Sequence, residues 1–352
     1  MTTTRRVEVI VLNFNHRPLL ERCLEALRAQ AFRDFAVTVL DNASTDDSVP
    51  WLALAHPEVK LHANSRNLGF AGAYDDYLRE HCTADLVALL NNDAYADPPW
   101  LCALVQALDR DPGLAAVTSR IRFADDPAIL NHAGAGLSPL GSGFDIGFGL
   151  PDGPAFDRPR DCGLPSGAAC LFRRADYLDA GGFDPDYFAW FEDVDLGWRL
   201  WLRGRRVAYV PGATVAHAYG ATGGKRTSTL RIYHCQKNRL ANATKNLGMP
   251  RLALALWVGL AFDTWRAGSA FARGEGLATL GAITRGYGAW LRWLPSLIRQ
   301  RRVVQSTRAV SDRELRGRGI LAGWRESAQA FRDAGRYRAG GTRANDISSQ
   351  CE

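Results

Sequence analysis

The stretch FAWFEDVDLGWRLWL, residues 188–202, places three acidic side chains among large aromatic ones: Glu192, Asp193 and Asp195. Burying carboxylates beside Trp and Phe costs free energy. Such a cluster therefore persists where it is solvated, paired, or used to hold a metal or move a proton. The same acids would also suit the first turn of a helix, because the helix dipole is positive there. The two interpretations are compatible, and we favour a catalytic role.

Four short apolar segments precede this stretch, and polar residues follow each of them. The first, VEVIVLN at residues 7–13, is rich in β-branched residues and is typical of a buried strand of a parallel sheet. The other predicted strands span 36–40, 59–62 and 85–90. The side chains near the strand ends that could bind a ligand are Asn13, Asn15, Asp41, Asn67, Gly69, Asn92 and Asp93.

The repeated order of strand, polar end and helix predicts an α/β fold with a mostly parallel, Rossmann-like sheet and flanking helices. Because parallel strands end at the same edge of a sheet, we expect these polar residues to form one ligand-binding edge. Asp93 directly follows a buried strand, where a carboxylate is well placed to hold a divalent cation. The residues alone leave an alternative open, in which these side chains only form turns and cap helices.

The segments that flank the acidic stretch are less informative. Residues 121–165 are rich in Gly, Pro and Asp, and they predict a long loop that is either a lid or acceptor wall, or a flexible insertion. Strands are predicted over 207–210 and 213–218, and the second carries His217. A lone histidine is more often structural than a ligand, so the pattern alone gives His217 no role.

Composition describes a folded chain of 352 residues, with 47% hydrophobic residues, 23% charged residues and a net charge of +6. The seven cysteines include no Cys-x-x-Cys pair, which indicates a reducing compartment. The N-terminus does not read as a signal peptide, and no run reaches the ~18 apolar residues of a membrane-spanning helix. We therefore expect a cytoplasmic protein.

The basic excess lies in the last third of the chain, where residues 250–352 hold 17 Arg against 8 acidic residues. Interrupted apolar segments with Trp and Arg predict amphipathic helices over 250–335. These helices either contact the cytosolic face of the plasma membrane peripherally, or pack on the domain or on a second protomer. Residues 336–352 are expected to form a disordered tail. The Arg residues are not interleaved with aromatics in a nucleic-acid-binding fold, so we expect no nucleic acid partner.

Seven motifs, in order, resemble those of family 2 glycosyltransferases, and most closely their bacterial rhamnosyltransferase-like branch. They are VIVLNFN, LDNASTDDS, NLGFAGA, LLNNDA, SGAACLFRR, GGFDPDYFAWFEDVDLGWRL and His217. Each motif is weak alone, but their order over about residues 7–245 is specific. The resemblance implies a GT-A fold for residues 1–249, followed by the helical extension. It also implies a nucleoside-diphosphate sugar donor, dTDP- or UDP-linked, and a Mg²⁺ or Mn²⁺ cofactor.

The resemblance also assigns roles to single residues. Asp193 matches the general base, and Glu192 beside it is expected to bond the acceptor. Asp93 matches the last acid of the metal-binding Asp-x-Asp motif, and His217 matches a histidine that helps to hold the metal or the pyrophosphate. Asp195 is left to cap the following helix. The positions that match donor-binding residues are Asn13, Asn15, Asp41, Asn67, Gly69 and Asn92.

The function implied is that of an inverting glycosyltransferase of cell-envelope polysaccharide synthesis. It would move a sugar, rhamnose by analogy with the branch, to a glycan or lipid-linked acceptor. The first acid of the metal motif is replaced by Asn91, which leaves the strict need for a metal open. Two alternatives are a nucleotidyltransferase and a non-catalytic partner that binds sugar nucleotides in a polysaccharide assembly complex.

Overall fold

The computed structural model describes residues 6–220 and 228–333. The strands are β1 (Val7–Asn13), β2 (Phe35–Asp41), β3 (Lys60–Ala63), β4 (Leu86–Asn91), β5 (Ala94–Ala96), β6 (Leu114–Phe123), β7 (Leu130–Ala133), β8 (Ala135–Leu137), β9 (Gly143–Asp145), β10 (Arg160–Asp161), β11 (Ala169–Arg173) and β12 (Arg206–His217). The helices are α1 (Arg17–Arg28), α2 (Ser48–Ala55), α3 (Gly69–Glu80), α4 (Trp100–Arg110), α5 (Arg174–Asp179), α6 (Glu192–Leu202), α7 (Thr229–Asn246), α8 (Met249–Phe271), α9 (Gly276–Ser306) and α10 (Asp312–Gly317).

Within these residues, ten strands form one mixed sheet in the order β10-β12-β6-β11-β4-β1-β2-β3, with β5 paired to β12 and β7 paired to β6. Strands β3, β2, β1 and β4 run parallel. Strand β11 is antiparallel to both of its neighbours, and β12 is again parallel to β6. The predicted fold class, an α/β fold with a mostly parallel sheet and a C-terminal helical region, is confirmed.

The sheet is covered on both faces, which explains why its central strands are mostly apolar. One face packs on α1 and α4, with side chains such as Leu20 and Leu104 in its core. The other face packs on α3 and α6, where Tyr74, Trp198 and Trp201 are fully buried. The candidate site lies at the strand ends, while the few polar side chains buried within the strands, such as Thr38 and Thr118, are hydrogen-bonded.

Two local predictions differ from the structure. The strands predicted over 207–210 and 213–218 form one strand, β12, whose pairing register shifts between Val210 and Thr214. Proline 211 cannot donate to the ladder, and it lies within this irregular stretch. The long loop predicted over 121–165 instead contains β7 to β10, and β8 and β9 pair as a small separate sheet.

The C-terminal helices pack against α7, so the alternative of packing on the domain holds for their inner side. Buried Asp263 of α8 accepts hydrogen bonds from Gln236 Nε2 and Arg239 Nη2, both at 2.7 Å. From α9, Trp290 Nε1 donates to Thr244 Oγ1 at 3.1 Å. None of the helices described is long and apolar enough to cross a membrane. The predicted boundary at residue 249 falls at the start of α8, and the predicted tail, 336–352, lies outside the described residues.

Candidate active site

The carboxyl ends of β1, β2 and β4 meet in a group of hydrogen-bonded polar side chains. Asn13 Nδ2 donates to Asp41 Oδ2 at 3.0 Å, and Asn92 Nδ2 donates to Asn13 Oδ1 at 2.9 Å. All three side chains are buried. The parallel register places Asn13 directly opposite Asp41. Three of the predicted donor-binding residues therefore form one network.

The loop after β2 folds over this network through Asn15 and Ser44. Asn15 Oδ1 accepts from the Thr45 N–H at 2.7 Å, and the Asn15 N–H donates to Ser44 Oγ at 2.8 Å. Ser44 Oγ in turn donates to Asp41 Oδ2 at 2.5 Å. Asn15 has a φ of 60°, a left-handed conformation that Asn tolerates better than most residues. Asn15 and Asp41 therefore shape the loop as well as line the strand ends.

Asn67 and Gly69 are held by Asn42, a buried residue that the sequence reasoning did not single out. Asn42 Nδ2 donates to Asn67 Oδ1 at 2.9 Å and to the Gly69 carbonyl at 3.1 Å. Its Oδ1 accepts from the Leu68 N–H at 3.0 Å. Asn42 directly follows Asp41 at a strand end, and this position could have identified it as a candidate from the sequence.

Gly69 lies against Phe188. Any other residue at position 69 would require the backbone at one or both of these positions to shift. Its φ is 72°, and a Cβ there would be 2.4 Å from the Phe188 carbonyl oxygen. The same carbonyl accepts from the Ala71 N–H at 3.1 Å. The start of α3 and the segment that leads into α6 are therefore in direct contact.

Asp93 and His217 are far apart in sequence, but their side chains meet. Pairing of β5 with β12 places His217 opposite Ala94, and His217 Nε2 lies 3.1 Å from Asp93 Oδ1. On its other side, His217 Nδ1 lies 3.2 Å from Asn131 Oδ1. Both predicted metal ligands are buried. A carboxylate and an imidazole, the latter oriented by a second polar side chain, form a donor set that fits a divalent cation.

Asp193 lies in the first turn of α6. Its Oδ2 accepts from the Gly167 N–H at 3.3 Å, and its Oδ1 accepts from the Val194 N–H at 2.8 Å. Burial raises the pKa of Asp193 to about 6; the Gly167 N–H opposes this rise, and the charge of Asp145 adds to it. A carboxylate with such a pKa is ionised at neutral pH and still basic enough to accept a proton.

The loop that contains Gly167 connects Asp193 to the end of β4. The Asn91 N–H donates to the Ala168 carbonyl at 3.0 Å, and Asn91 precedes Asp93 by two residues. The predicted base, Asp193, and the predicted metal ligand, Asp93, are thus linked through two hydrogen bonds: one from the Gly167 N–H to the Asp193 side chain, and one between the backbones of Asn91 and Ala168.

Glu192 is buried beside Asp193. Burial first, and then the charge of Asp193, raise the pKa of Glu192 well above its usual value. Among the described residues, Glu192 Oε2 has no hydrogen-bond partner. Both effects favour the protonated form of Glu192, which can donate a hydrogen bond.

Asp195 does not cap α6, which corrects the expectation from sequence. It is fully buried and accepts from Arg199 Nε and Lys245 Nζ, both at 2.9 Å, and from Asn246 Nδ2 at 3.0 Å. Burial favours the neutral acid, but the two cations and the hydrogen bonds outweigh it and lower the pKa of Asp195 to about 2. The residue before the helix is Phe191, which makes no side-chain cap. Asp195 joins α6 to α7.

Strand β7 supplies further side chains that sequence reasoning missed. Beside Asn131, the buried His132 places Nδ1 2.8 Å from Asp145 Oδ1 and Nε2 3.2 Å from Thr118 Oγ1. Thr118 Oγ1 accepts from the Ser166 N–H at 3.1 Å, next to the N–H that bonds Asp193. No motif marks these residues, because their proximity depends on the pairing of β6 with β7.

Helix α7 holds the aromatic segment before α6. Asn238 Nδ2 donates to the carbonyls of Tyr187, Ala189 and Trp190 at 3.1, 2.9 and 2.7 Å. Trp190 and Phe191 both have φ of 68°, so their backbone is strained unless it is held in place. Asn238 is thus a positioning residue for the first turn of α6.

The sequence profile described as "Glycosyltransferase like family 2" matches residues 5–243. The chain belongs to this family. The predicted family and its rhamnosyltransferase-like branch are confirmed, since the relatives of this glycosyltransferase include a rhamnosyltransferase. The N-acetylglucosaminyl-diphospho-decaprenol L-rhamnosyltransferase of Mycobacterium tuberculosis is 31% identical over 248 residues, which cover 64% of this chain and 80% of that protein.

Other relatives differ in what their names describe. The pre-mycofactocin glycosyltransferase of Mycobacterium tuberculosis is 32% identical over 225 residues, which cover 60% of this chain and only 43% of that protein. Among solved structures, the mannosyltransferase PcManGT from Pyrobaculum calidifontis, in complex with GDP-Man and Mn²⁺, aligns with a TM-score of 0.52. At 21% identity over 82% of this chain and 88% of that chain, the likeness concerns the fold.

Proposed function

We propose that this glycosyltransferase inverts the anomeric carbon as it moves a sugar from a nucleoside-diphosphate donor to a lipid-linked glycan in cell-envelope polysaccharide synthesis. Asp193 carries the proposal, because it is a carboxylate with a pKa of about 6 next to the loop that contacts the end of β4. Asp193 takes the proton of the acceptor hydroxyl while the hydroxyl oxygen attacks the anomeric carbon and the nucleoside diphosphate leaves from the opposite face. A single displacement needs one base and no covalent intermediate.

The strand-end network would bind the nucleotide of a dTDP- or UDP-linked donor. Asp41 accepts hydrogen bonds from Asn13 and Ser44, but a carboxylate has about four lone-pair positions and can accept another from the pyrimidine base. Asn67 and Gly69 open α3, whose N-terminus favours an anion such as a phosphate. Asn15 and Asn92 complete this side of the site.

Asp93 and His217 would hold a divalent cation, Mg²⁺ or Mn²⁺. Their donor atoms lie side by side, and Asn131 fixes the orientation of the imidazole. A bound cation would offset the negative charge that develops on the leaving diphosphate. Asn91 lacks the charge of the usual first acid, so the metal site depends on Asp93.

Glu192 would position the acceptor. Burial and the charge of Asp193 favour the protonated form of Glu192, and in that form it can donate a hydrogen bond to an acceptor oxygen beside Asp193. This division matches a common arrangement in which neighbouring carboxyl groups are held at different pKa values.

The outer side of α8 and α9 supports a lipid-linked acceptor. On α8, Leu254, Trp257, Leu260 and Trp265 are exposed, while Leu252, Ala255, Gly259 and Asp263 are buried on the opposite side. Trp257 is 74% exposed. An apolar face with Trp, on a strongly basic segment, suits the interface of an anionic membrane. L-Rhamnose is the first donor sugar to test, because the M. tuberculosis relative transfers it to a decaprenol-linked acceptor according to its name.

The test is a donor panel of dTDP- and UDP-sugars with Mn²⁺ or Mg²⁺, read by nucleotide release and acceptor glycosylation. The Asp193→Asn variant should lose transfer by about 10²–10⁴-fold, because it removes the general base, while calorimetry shows donor binding within about twofold of wild type. Asp179→Asn, which changes a carboxylate on α5, is the matched control. Normal turnover by Asp193→Asn would refute the base assignment.

The same panel separates the alternatives. Formation of sugar nucleotide from a sugar phosphate would identify a nucleotidyltransferase. Donor binding without turnover by the wild-type chain, across the panel, would identify a non-catalytic partner.

Membrane contact is tested by cosedimentation with vesicles that contain phosphatidylglycerol. The double variant Trp257→Ser, Trp265→Ser should bind about tenfold more weakly, since it removes two exposed apolar side chains from α8. Leu54→Ser changes an exposed apolar side chain on α2 and should bind as wild type does. Equal binding by all three proteins would place the contact elsewhere.

A further inference from the structure

Two histidines and an aspartate form a cluster on β3 and α3 that the proposed reaction does not use. His62 belongs to β3, Asp76 to α3, and His81 directly follows α3. One potential ligand atom from each lies within 4.8 Å of the other two. Asp76 and His81 are exposed and His62 is half-buried, so solvent and ions reach the cluster. None of the three contributes to the Asp93–His217 pair.

The chemistry of the cluster is that of a transition-metal site. Imidazole nitrogens and one carboxylate oxygen are a common ligand set for Zn²⁺, with a water in the remaining position. The rings of His62 and His81 are already adjacent, with centroids 4.6 Å apart. His62 also packs against the ring of Tyr77, with centroids 5.2 Å apart at an angle of 74°, which limits its rotation.

The lowered pKa of His62 also favours metal binding at neutral pH. Burial lowers the pKa of His62, and the nearby His81 lowers it further, while Asp76 acts in the opposite direction. Lys60, whose Nζ donates to the Tyr77 hydroxyl at 2.7 Å, also contributes to the lower value. A neutral imidazole is the form that binds a metal.

We propose that His62, Asp76 and His81 form a second metal site, which binds Zn²⁺ and joins the edge strand β3 to α3. His62 precedes, and Asp76 and His81 follow, the loop of residues 64–68 between β3 and α3, which we call the donor-side loop because it contains Asn67. Within that loop, the Asn64 N–H bonds the Asp41 carbonyl at 2.8 Å, and Asn67 and Gly69 follow. A metal bound there stabilises the loop by holding together the two elements that flank it, and it binds the folded state in preference to the unfolded state.

The test uses tag-free protein that has been treated with EDTA and then titrated with ZnCl₂. Bound zinc is measured by equilibrium dialysis with atomic absorption, and the thermal midpoint is measured in parallel. Wild type should bind zinc and gain several degrees in its thermal midpoint. His81→Gln and Asp76→Asn each change an exposed side chain, so both should fold. Each should weaken binding at least tenfold and lose most of the thermal shift.

Two control variants locate the bound ion. Glu80→Gln removes an exposed charge from α3 outside the cluster and should behave as wild type. Asp93→Asn removes the carboxylate of the proposed catalytic pair and should keep the zinc-induced shift. If zinc binding and the shift are unchanged in both His81→Gln and Asp76→Asn, or are lost in Asp93→Asn alone, the second site does not exist. These readouts need no transferase activity, so they are independent of the proposed function.

Discussion

Asp193 and Asp195 lie on two different sides of α6, and their pKa values are shifted in opposite directions. On the side of α6 that faces the Gly167 loop, Asp193 accepts only backbone hydrogen bonds among those described, and its pKa is raised to about 6. On the α7 side, Asp195 meets Arg199 and Lys245, and its pKa is lowered to about 2. Desolvation raises the pKa of both, and it acts on the fully buried Asp195 as well as on the half-buried Asp193, so burial does not explain why the pKa of Asp195 is the lower one. The difference comes from cations, one of which lies 50 residues further along the chain.

The comparison shows which carboxylate is available for chemistry. A buried acid that is fully paired with cations stabilises the fold and is a poor base. A buried acid without a cationic partner retains a higher pKa, which disfavours its ionised form but makes it a better base. In the sequence Glu192-Asp193-Val194-Asp195, residue type does not distinguish the two aspartates, although Asp193 is half-buried and Asp195 is fully buried.

The largest expected difference is in stability. Asp195→Asn leaves the buried Arg199 without its counter-charge and leaves Lys245 with Asp184 alone, at 3.2 Å. We expect a loss of about 3–5 kcal/mol in the free energy of unfolding. Asp193→Asn removes a carboxylate whose ionisation opposes folding at neutral pH, so it should be neutral or slightly stabilising. Urea denaturation at pH 7 measures both. Equal losses of unfolding free energy in the two variants would contradict the distinction between Asp193 as a base and Asp195 as a stabilising residue.

The second expected difference is in pH dependence. The folded pKa of Asp193, about 6, lies above the usual pKa of an aspartate, so the base is lost by protonation as pH falls through 6. Activity at pH 5 should be about a tenth of the plateau value. The pKa of Asp195 is depressed, so its contribution to stability is present above about pH 4 and is lost as pH falls toward 2. Circular dichroism at pH 5 should show a folded protein, and activity should return on neutralisation. Unfolding that parallels the loss of activity between pH 6 and pH 5 would contradict the prediction that activity is lost at a higher pH than stability.

The smallest effect concerns the groups that face Asp193 from β7 and β9. Asp145 raises the pKa of Asp193 and His132 lowers it. Asp145→Asn should therefore move the acid limb of the kcat/KM profile to lower pH, and His132→Gln should move it to higher pH. At pH 6 the gain in Asp145→Asn is at most about twofold, because about half of Asp193 is already ionised there. Both variants should match wild type at pH 8; a large loss at pH 8 would indicate a structural role instead.

The residue patterns predicted which strand ends would come together in the candidate site. Polar residues at the ends of buried strands had to meet at one edge, and Asn13, Asp41 and Asn92 do so. The pairing of Asp93 with His217 could not be read from spacing, because it depends on β5 pairing with β12. Resemblance to a family supplied that expectation instead.

Other features were beyond the sequence for physical reasons. Asn131, His132 and Asp145 lie in a Gly- and Pro-rich segment that was expected to be a loop, yet its strand β7 pairs with the inner strand β6, and its strand β9 pairs with β8 in a small separate sheet. The position of Lys245 beside Asp195 requires the packing of α7 on α6, a tertiary contact without local signal. Helix α9 continues through Pro295, which sequence rules treat as a helix breaker.

The contact between Gly69 and Phe188 also constrains how this enzyme can evolve. The Phe188 carbonyl is bonded by the Ala71 N–H and leaves no space for a Cβ on residue 69. The donor-side loop and the segment that leads to Asp193 therefore cannot diverge independently. A chimaera that takes the first 100 residues from one homologue and the remainder from another must preserve this pair, or its two halves will not close on each other.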